Sequence, residues 1–102
     1  MEKVYAGQNI QTDGEGYLTN LAEWNKEIAT EIAKEEGIVL SDKHWEVLSY
    51  LQDQFKKDIA LSIRSIGKSG VVDIKQFYEL FPKGPLKISS KIAGIPKPKS
   101  CI

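Results

Sequence analysis

Glycine and proline punctuate the chain at Gly37, Gly67, Gly70, Pro82, Gly84-Pro85 and Gly94, and the apolar stripes that lie between these stops read as helices. Before the first of these stops, Leu21, Trp24, Ile28, Ala29 and Ile32 recur at spacings of three and four, which predicts a helix over 21–34 ended by Gly37. Ser41 opens the next segment. Its hydroxyl is placed to accept a bond from an unpaired amide of the first turn, Asp42 suits the positive helix end, and Trp45, Leu48, Leu51 and Phe55 form the stripe. A third segment, 59–68, carries Ile59, Ile63 and Ile66 and stops near Gly67-Lys68-Ser69-Gly70. Asp73 and Gln76 then form a capping pair ahead of Ile74, Phe77, Leu80 and Phe81, and Pro82 ends that helix. A last helix, 85–93, has Pro85 at its first position and Gly94 as its left-handed stop.

Upstream, Val4-Tyr5-Ala6-Gly7-Gln8-Asn9-Ile10-Gln11 reads as a small hairpin, followed by the turn Asp13-Gly14-Glu15-Gly16 and by Tyr17-Leu18. A lone hairpin is marginal in water, so its apolar side is expected to pack on the helices. Downstream, Ile95-Pro96-Lys97-Pro98-Lys99-Ser100-Cys101-Ile102 lacks donors at alternate positions and favours extended polyproline-like geometry. The reading is mainly α with a small N-terminal β-hairpin: one domain over 1–94 and an extended C-terminal arm over 95–102. A chain of 102 residues buries about two-thirds of the surface it exposes when unfolded, which leaves little core for a large substrate pocket.

Equal numbers of acids and bases conceal a division of charge at Pro82. Residues 1–82 hold all 14 acids against 9 bases, while residues 83–102 hold Lys83, Lys87, Lys91, Lys97 and Lys99 and no acid. The end is a basic arm suited to an acidic protein surface or a phosphate backbone, or simply a solvated face. No apolar run approaches the roughly 18 residues of a membrane span. The start of the chain shows no apolar signal core and a single Cys cannot form an internal disulfide, so a reducing cytoplasm is expected.

Cys101 carries the chemistry. On a basic, proline-rich end it is poorly placed to be core, and its thiolate is favoured by Lys97 and Lys99 and opposed by the carboxylate of Ile102. One thiol allows sulfur acceptance and donation, a mixed disulfide with a partner, or oxidation by peroxide. His44, the only imidazole, sits in a first helical turn, where capping or surface roles are commoner than general-base or metal chemistry. One His and one Cys fall short of the about four ligands of a zinc site, so no metal or cofactor is expected. Arg64, the only arginine, suits an ion pair with a neighbouring acid or a fork onto carboxylate or phosphate. Trp24, Trp45 and Phe55 lie on the stripes and read as core. Gly67-Lys68-Ser69 lacks the earlier glycine and the preceding strand of a phosphate-binding loop.

The run Leu80-Phe81-Pro82-Lys83-Gly84-Pro85, the run Lys91-Ile92-Ala93-Gly94-Ile95-Pro96-Lys97-Pro98 and Cys101 together resemble the C-terminal signature of the DsrC/TusE family of small sulfur carriers. Thr12-Asp13, Gly16-Tyr17-Leu18, Trp24, Glu36-Gly37-Ile38 and His44-Trp45-Glu46-Val47 are similar to its N-terminal half. Two departures stand out. Members that act with dissimilatory sulfite reductase carry a second tail cysteine where this chain has Ser90, so the likeness is closer to the single-cysteine TusE type. The stretch 59–73 is shorter and less typical, around the place where Arg64 resembles a family arginine.

The resemblance implies a compact helical bundle with a helix-turn-helix-like core and a mobile C-terminal arm. It also implies a sulfurtransferase-type carrier in the cytoplasm, with Cys101 taking persulfide sulfur from a TusBCD/DsrEFH-like donor complex. The sulfur would pass to a tRNA 2-thiouridylase-like acceptor, or less readily to sulfite reductase. Lys91, Lys97, Lys99 and Arg64 are then candidates for docking a partner, with no membrane and no direct nucleic-acid contact expected. A thiol-redox role in sulfur metabolism is the alternative, and a nucleic-acid-binding module ranks last because the body is acidic.

Overall fold

Ala6 and Gly7, both at positive φ (52° and 74°), make the two-residue turn that joins β1 (Glu2–Tyr5) to β2 (Gln8–Gln11) in the computed structural model, which describes residues 1–97. The register pairs Glu2 with Gln11 and Tyr5 with Gln8. A bridge between Thr12 and Leu18 extends the pair, and the Asp13 side chain closes the intervening loop by accepting from the amides of Glu15 (2.8 Å) and Tyr17 (3.0 Å). Pro98, Lys99 and Cys101 lie outside the described residues.

The expected helix over 21–34 is two pieces. Leu21–Glu23 form a single 3₁₀ turn, Trp24 is extended (φ −74°, ψ 143°), and α1 (Lys26–Glu35) starts afresh at Asn25, whose Oδ1 accepts from the Ile28 amide at 2.9 Å. An asparagine cap inside a periodic stripe outcompetes helix continuation. Ile28, Ala29, Ile32 and Ala33 face the core. Gly37 (φ 73°) ends the helix, its amide and that of Ile38 donating to Lys34 and Ala33.

The longest helix, α2 (Asp42–Lys56), buries His44, Val47, Leu48 and Leu51. Phe55, expected on that stripe, is exposed, because the buried face turns through Val47 instead. The expected helix over 59–68 shrinks to α3 (Ile63–Gly67), and Ile59 stands half exposed. The cause is Asp58: at φ 58° it closes α2 in the left-handed conformation usually given to glycine, with its amide donating to Phe55 and that of Ile59 to Gln54. Ser62 and Ser65 then cap each other's backbone to start α3.

Close approach explains Gly67. A β-carbon there would lie 2.5 Å from Ile74 Cγ1, so α3 packs directly on α4 (Ile74–Leu80), which the pair Asp73 and Gln76 caps as expected. The segment Gly67-Lys68-Ser69 is thus a helix end, with the Ser69 hydroxyl turned back onto the Ile66 carbonyl. Last, α5 (Pro85–Ile92) opens on Gly84 and Pro85 and packs against α1, α2 and α4. One apolar cluster joins Tyr5, Ile10 and Leu18 of the hairpin region to Ile32, Leu51, Phe77, Leu86 and Ile95. The architecture is mainly α with a small N-terminal hairpin, as the sequence predicts. No helix is long and apolar enough to cross a membrane among the described residues.

Candidate functional site

Cys101 follows the last residue of α5 by nine positions, so the end of that helix is the described element nearest to it in sequence. An α-helix leaves its last four carbonyls without intrahelical partners. Two are met by the backbone as the chain turns back at Gly94 (φ 76°): the Ile95 amide donates to Ser90 O at 3.2 Å and the Gly94 amide to Lys91 O at 3.3 Å. Ile95, the first residue of the segment read as an arm, buries its side chain in the core.

Side chains from elsewhere meet the other two. The indole Nε1 of Trp24 donates to Ile92 O at 2.8 Å, and Nε2 of Gln52 donates to Ala93 O at 2.8 Å. The Trp24 ring also presses on Gly94 so closely that a β-carbon there would sit 2.5 Å from Cδ1. Glycine at 94 therefore answers two demands, a positive φ and room for an aromatic ring. Trp24 and Gln52, with Lys26, Asp42 and Trp45, line an open groove beside this helix end. Lys26 Nζ stands 5.7 Å from the centre of a Trp45 ring.

Two of the four basic candidates are held by acids of the N-terminal half. Lys91 Nζ is 3.0 Å from Glu36 Oε1 with both side chains largely covered, and Lys97 Nζ is 3.0 Å from Glu15 Oε1 in a more exposed pair. Gly16, the neighbour of Glu15, lies against the end of Lys91 and near Lys3 Nζ, so three lysines converge on the turn 13–16. Arg64 is not part of that gathering. It is exposed on α3 and, contrary to the expected ion pair, has no acid partner among the described residues. Cys101 and Lys99 fall outside the described residues.

Glu35 and Glu36 sit at the negative end of α1, where acids are disfavoured unless something compensates them. Lys91 answers Glu36, while Glu35 receives the Tyr5 hydroxyl at 2.8 Å with Lys3 nearby at 3.8 Å. Burial, the bond to Glu35 and the charges of Glu35, Glu36 and Glu31 push the Tyr5 hydroxyl well above its ordinary ionisation range.

His44 is structural. Its Nδ1 accepts from the Ser41 amide (3.1 Å), and an amide can only donate; its Nε2 faces the Leu80 carbonyl (2.9 Å), which can only accept. The ring is therefore the neutral tautomer with its proton on Nε2, tying the start of α2 to the end of α4, edge-on to Phe81. Ser90 is fully buried and its Oγ has no hydrogen-bond partner.

Sequence reasoning placed Trp24 in the core and passed over Gln52. The indole N–H was a donor in need of a partner, and Gln52, four residues after Leu48 and eight after His44, was a polar residue on a buried stripe.

Comparison with known proteins gives one answer throughout. Residues 4–102 match the family model described as DsrC like protein. The chain is 45% identical to the sulfurtransferase TusE of Buchnera aphidicola subsp. Acyrthosiphon pisum, covering 97% of this chain and 94% of that protein. It is 40% identical to the sulfurtransferase TusE of Photorhabdus laumondii subsp. laumondii, over 97% and 96%. Among solved structures it superposes on the oxidized gamma-subunit of the dissimilatory sulfite reductase (DsrC) from Archaeoglobus fulgidus with a TM-score of 0.84 and 32% identity, covering all of both chains.

Proposed function

The chain belongs to the DsrC-like family, and from that premise we propose that it is a sulfur carrier loaded on Cys101. The thiolate of Cys101 attacks the outer sulfur of a partner's persulfide. The partner's S–S bond breaks, the partner leaves as a thiolate, and Cys101 becomes a persulfide; attack by an acceptor on that outer sulfur later returns Cys101 to thiolate. No outside oxidant or reductant enters the first exchange.

The observation that carries the reading is the anchored end of α5. Five residues separate Cys101 from the buried Ile95, so a fixed point on the body lies close in sequence to the single thiol of the chain. The naming of two relatives as sulfurtransferases supports it. Within it the donor is a TusBCD/DsrEFH-like complex, the acceptor a tRNA 2-thiouridine-forming enzyme, and Lys97, Lys99, Lys91 and Arg64 the docking charges. Lys91 and Lys97 would dock by exchanging Glu36 and Glu15 for a partner's acids.

The test is intact mass after incubation with a cysteine desulfurase, cysteine and a sulfur-relay complex. The protein should gain one reducible sulfur and Cys101→Ser none, with an unchanged melting curve; a gain that survives in Cys101→Ser overturns the assignment. A second reading, service to a sulfite reductase, draws on the likeness to the Archaeoglobus fulgidus subunit. Against a two-thiol version of it stands Ser90, which has no sulfur and is sealed in the core.

A further inference from the structure

The last turn of α5 draws its hydrogen bonds from two places far apart in sequence, and neither bond is one that helix formation itself requires. We infer that Trp24 and Gln52 are positioning residues of the sulfur relay: by holding the Ile92 and Ala93 carbonyls they fix the point from which Cys101 reaches its partner. The inference rests on the carrier reading.

Chain length gives the expected size of the effect. With the chain pinned at Ile95, the six positions to Cys101 would span about 19 Å in the polyproline-like geometry that the sequence favours, at about 3.1 Å per residue. Without its two outside donors the last turn opens more often, and in each opening that lifts Ile95 from the core and frays about three residues the reach grows to roughly 28 Å. The volume the thiol explores rises about threefold, and its effective concentration at a docked donor falls by the same factor. Phenylalanine has counterparts of the Cβ, Cγ and Cδ1 atoms that stand against Gly94, so Trp24→Phe removes the N–H donor and the outer part of the indole while retaining an aromatic ring beside the glycine.

The experiment uses the full-length protein carrying Trp24→Phe and Gln52→Leu together. Two sulfur sources are compared: the persulfide-loaded relay complex and glutathione persulfide. The double variant should react with glutathione persulfide at the unsubstituted rate, because a small donor has no docking geometry. With the relay complex its kcat/KM should fall by up to about threefold through kcat, with KM held, because the loss is in the step inside the docked complex. Amide exchange at Gly94 and Ile95 should quicken in parallel. Equal kcat/KM with the relay complex overturns the positioning role, as does an equal loss with both donors, which would mark a general change at the thiol. If the double variant does not unfold cooperatively, Gln52→Leu alone is read by the same assay, with a smaller loss confined to the relay complex. Failure of the unsubstituted protein to load from either donor overturns the carrier reading, and this inference with it.

Discussion

Tyr5 shows how much one side chain can carry in a small core. Its ring is buried in the hairpin, its hydroxyl reaches across to α1, and the Glu35 carboxylate accepts it at 2.8 Å. In the unfolded chain a tyrosine ionises near about pH 10, whereas burial and Glu35 hold this one protonated to higher pH. The folded state therefore keeps a proton that the unfolded state loses. Stability from this source is complete below about pH 10 and falls as the pH rises beyond it. Tyr5→Phe should cost about 1–2 kcal/mol at neutral pH, the worth of a bond to a charged acceptor, and flatten the alkaline decline. Urea unfolding at several pH values between neutral and about pH 11 measures both; an unchanged alkaline slope would remove Tyr5 as its cause. The sequence showed Tyr5 as an apolar hairpin residue but not this bond, since Glu35 lies 30 positions away and no local pattern links the two. Gln52 was hidden for the same reason, while Gly94 was legible because its left-handed conformation is a local demand.

At the level of elements, three helices end in the same way, with the amides of the two residues beyond the helix turned back onto its last carbonyls: α1 at Gly37, α2 at Asp58 and α5 at Gly94. Two of the three carry glycine, and those two ends could be read in advance. Asp58 disguised the third, and the stripe that appeared to begin at Ile59 drew the next helix four residues too early. Asn25 misled in the opposite sense, cutting a stripe that looked continuous. An aspartate at positive φ bears a steric cost that glycine avoids. Asp58→Gly should therefore stabilise the protein by about 0.5–1 kcal/mol. Chemical denaturation would register this as a higher midpoint at constant slope, and a lower midpoint would show that the aspartate side chain contributes more than its backbone conformation costs.

The whole molecule is held by one cluster rather than by two layers that could separate. The hairpin supplies Tyr5 and Ile10, the following loop Leu18, and α5 Leu86 and Ile92, all in contact with the same core. The radius of gyration, 12.6 Å, matches the roughly 13 Å of a compact domain of this length. Tryptophan fluorescence, which reports Trp24 at the end of the last helix and Trp45 on α2, and far-ultraviolet dichroism, which reports all helices, should trace one superimposable urea transition. Separate midpoints would mean that the end of α5 detaches before the body unfolds. The closed accounting at that helix end has a consequence for descent. The main-chain carbonyls of Ser90, Lys91, Ile92 and Ala93 all find their partners among residues 24–95, so that helix end is complete without calling on any residue beyond Ile95. Substitutions beyond Ile95 therefore leave the hydrogen bonds of that helix end untouched, and descent can vary that sequence without reopening the end of α5.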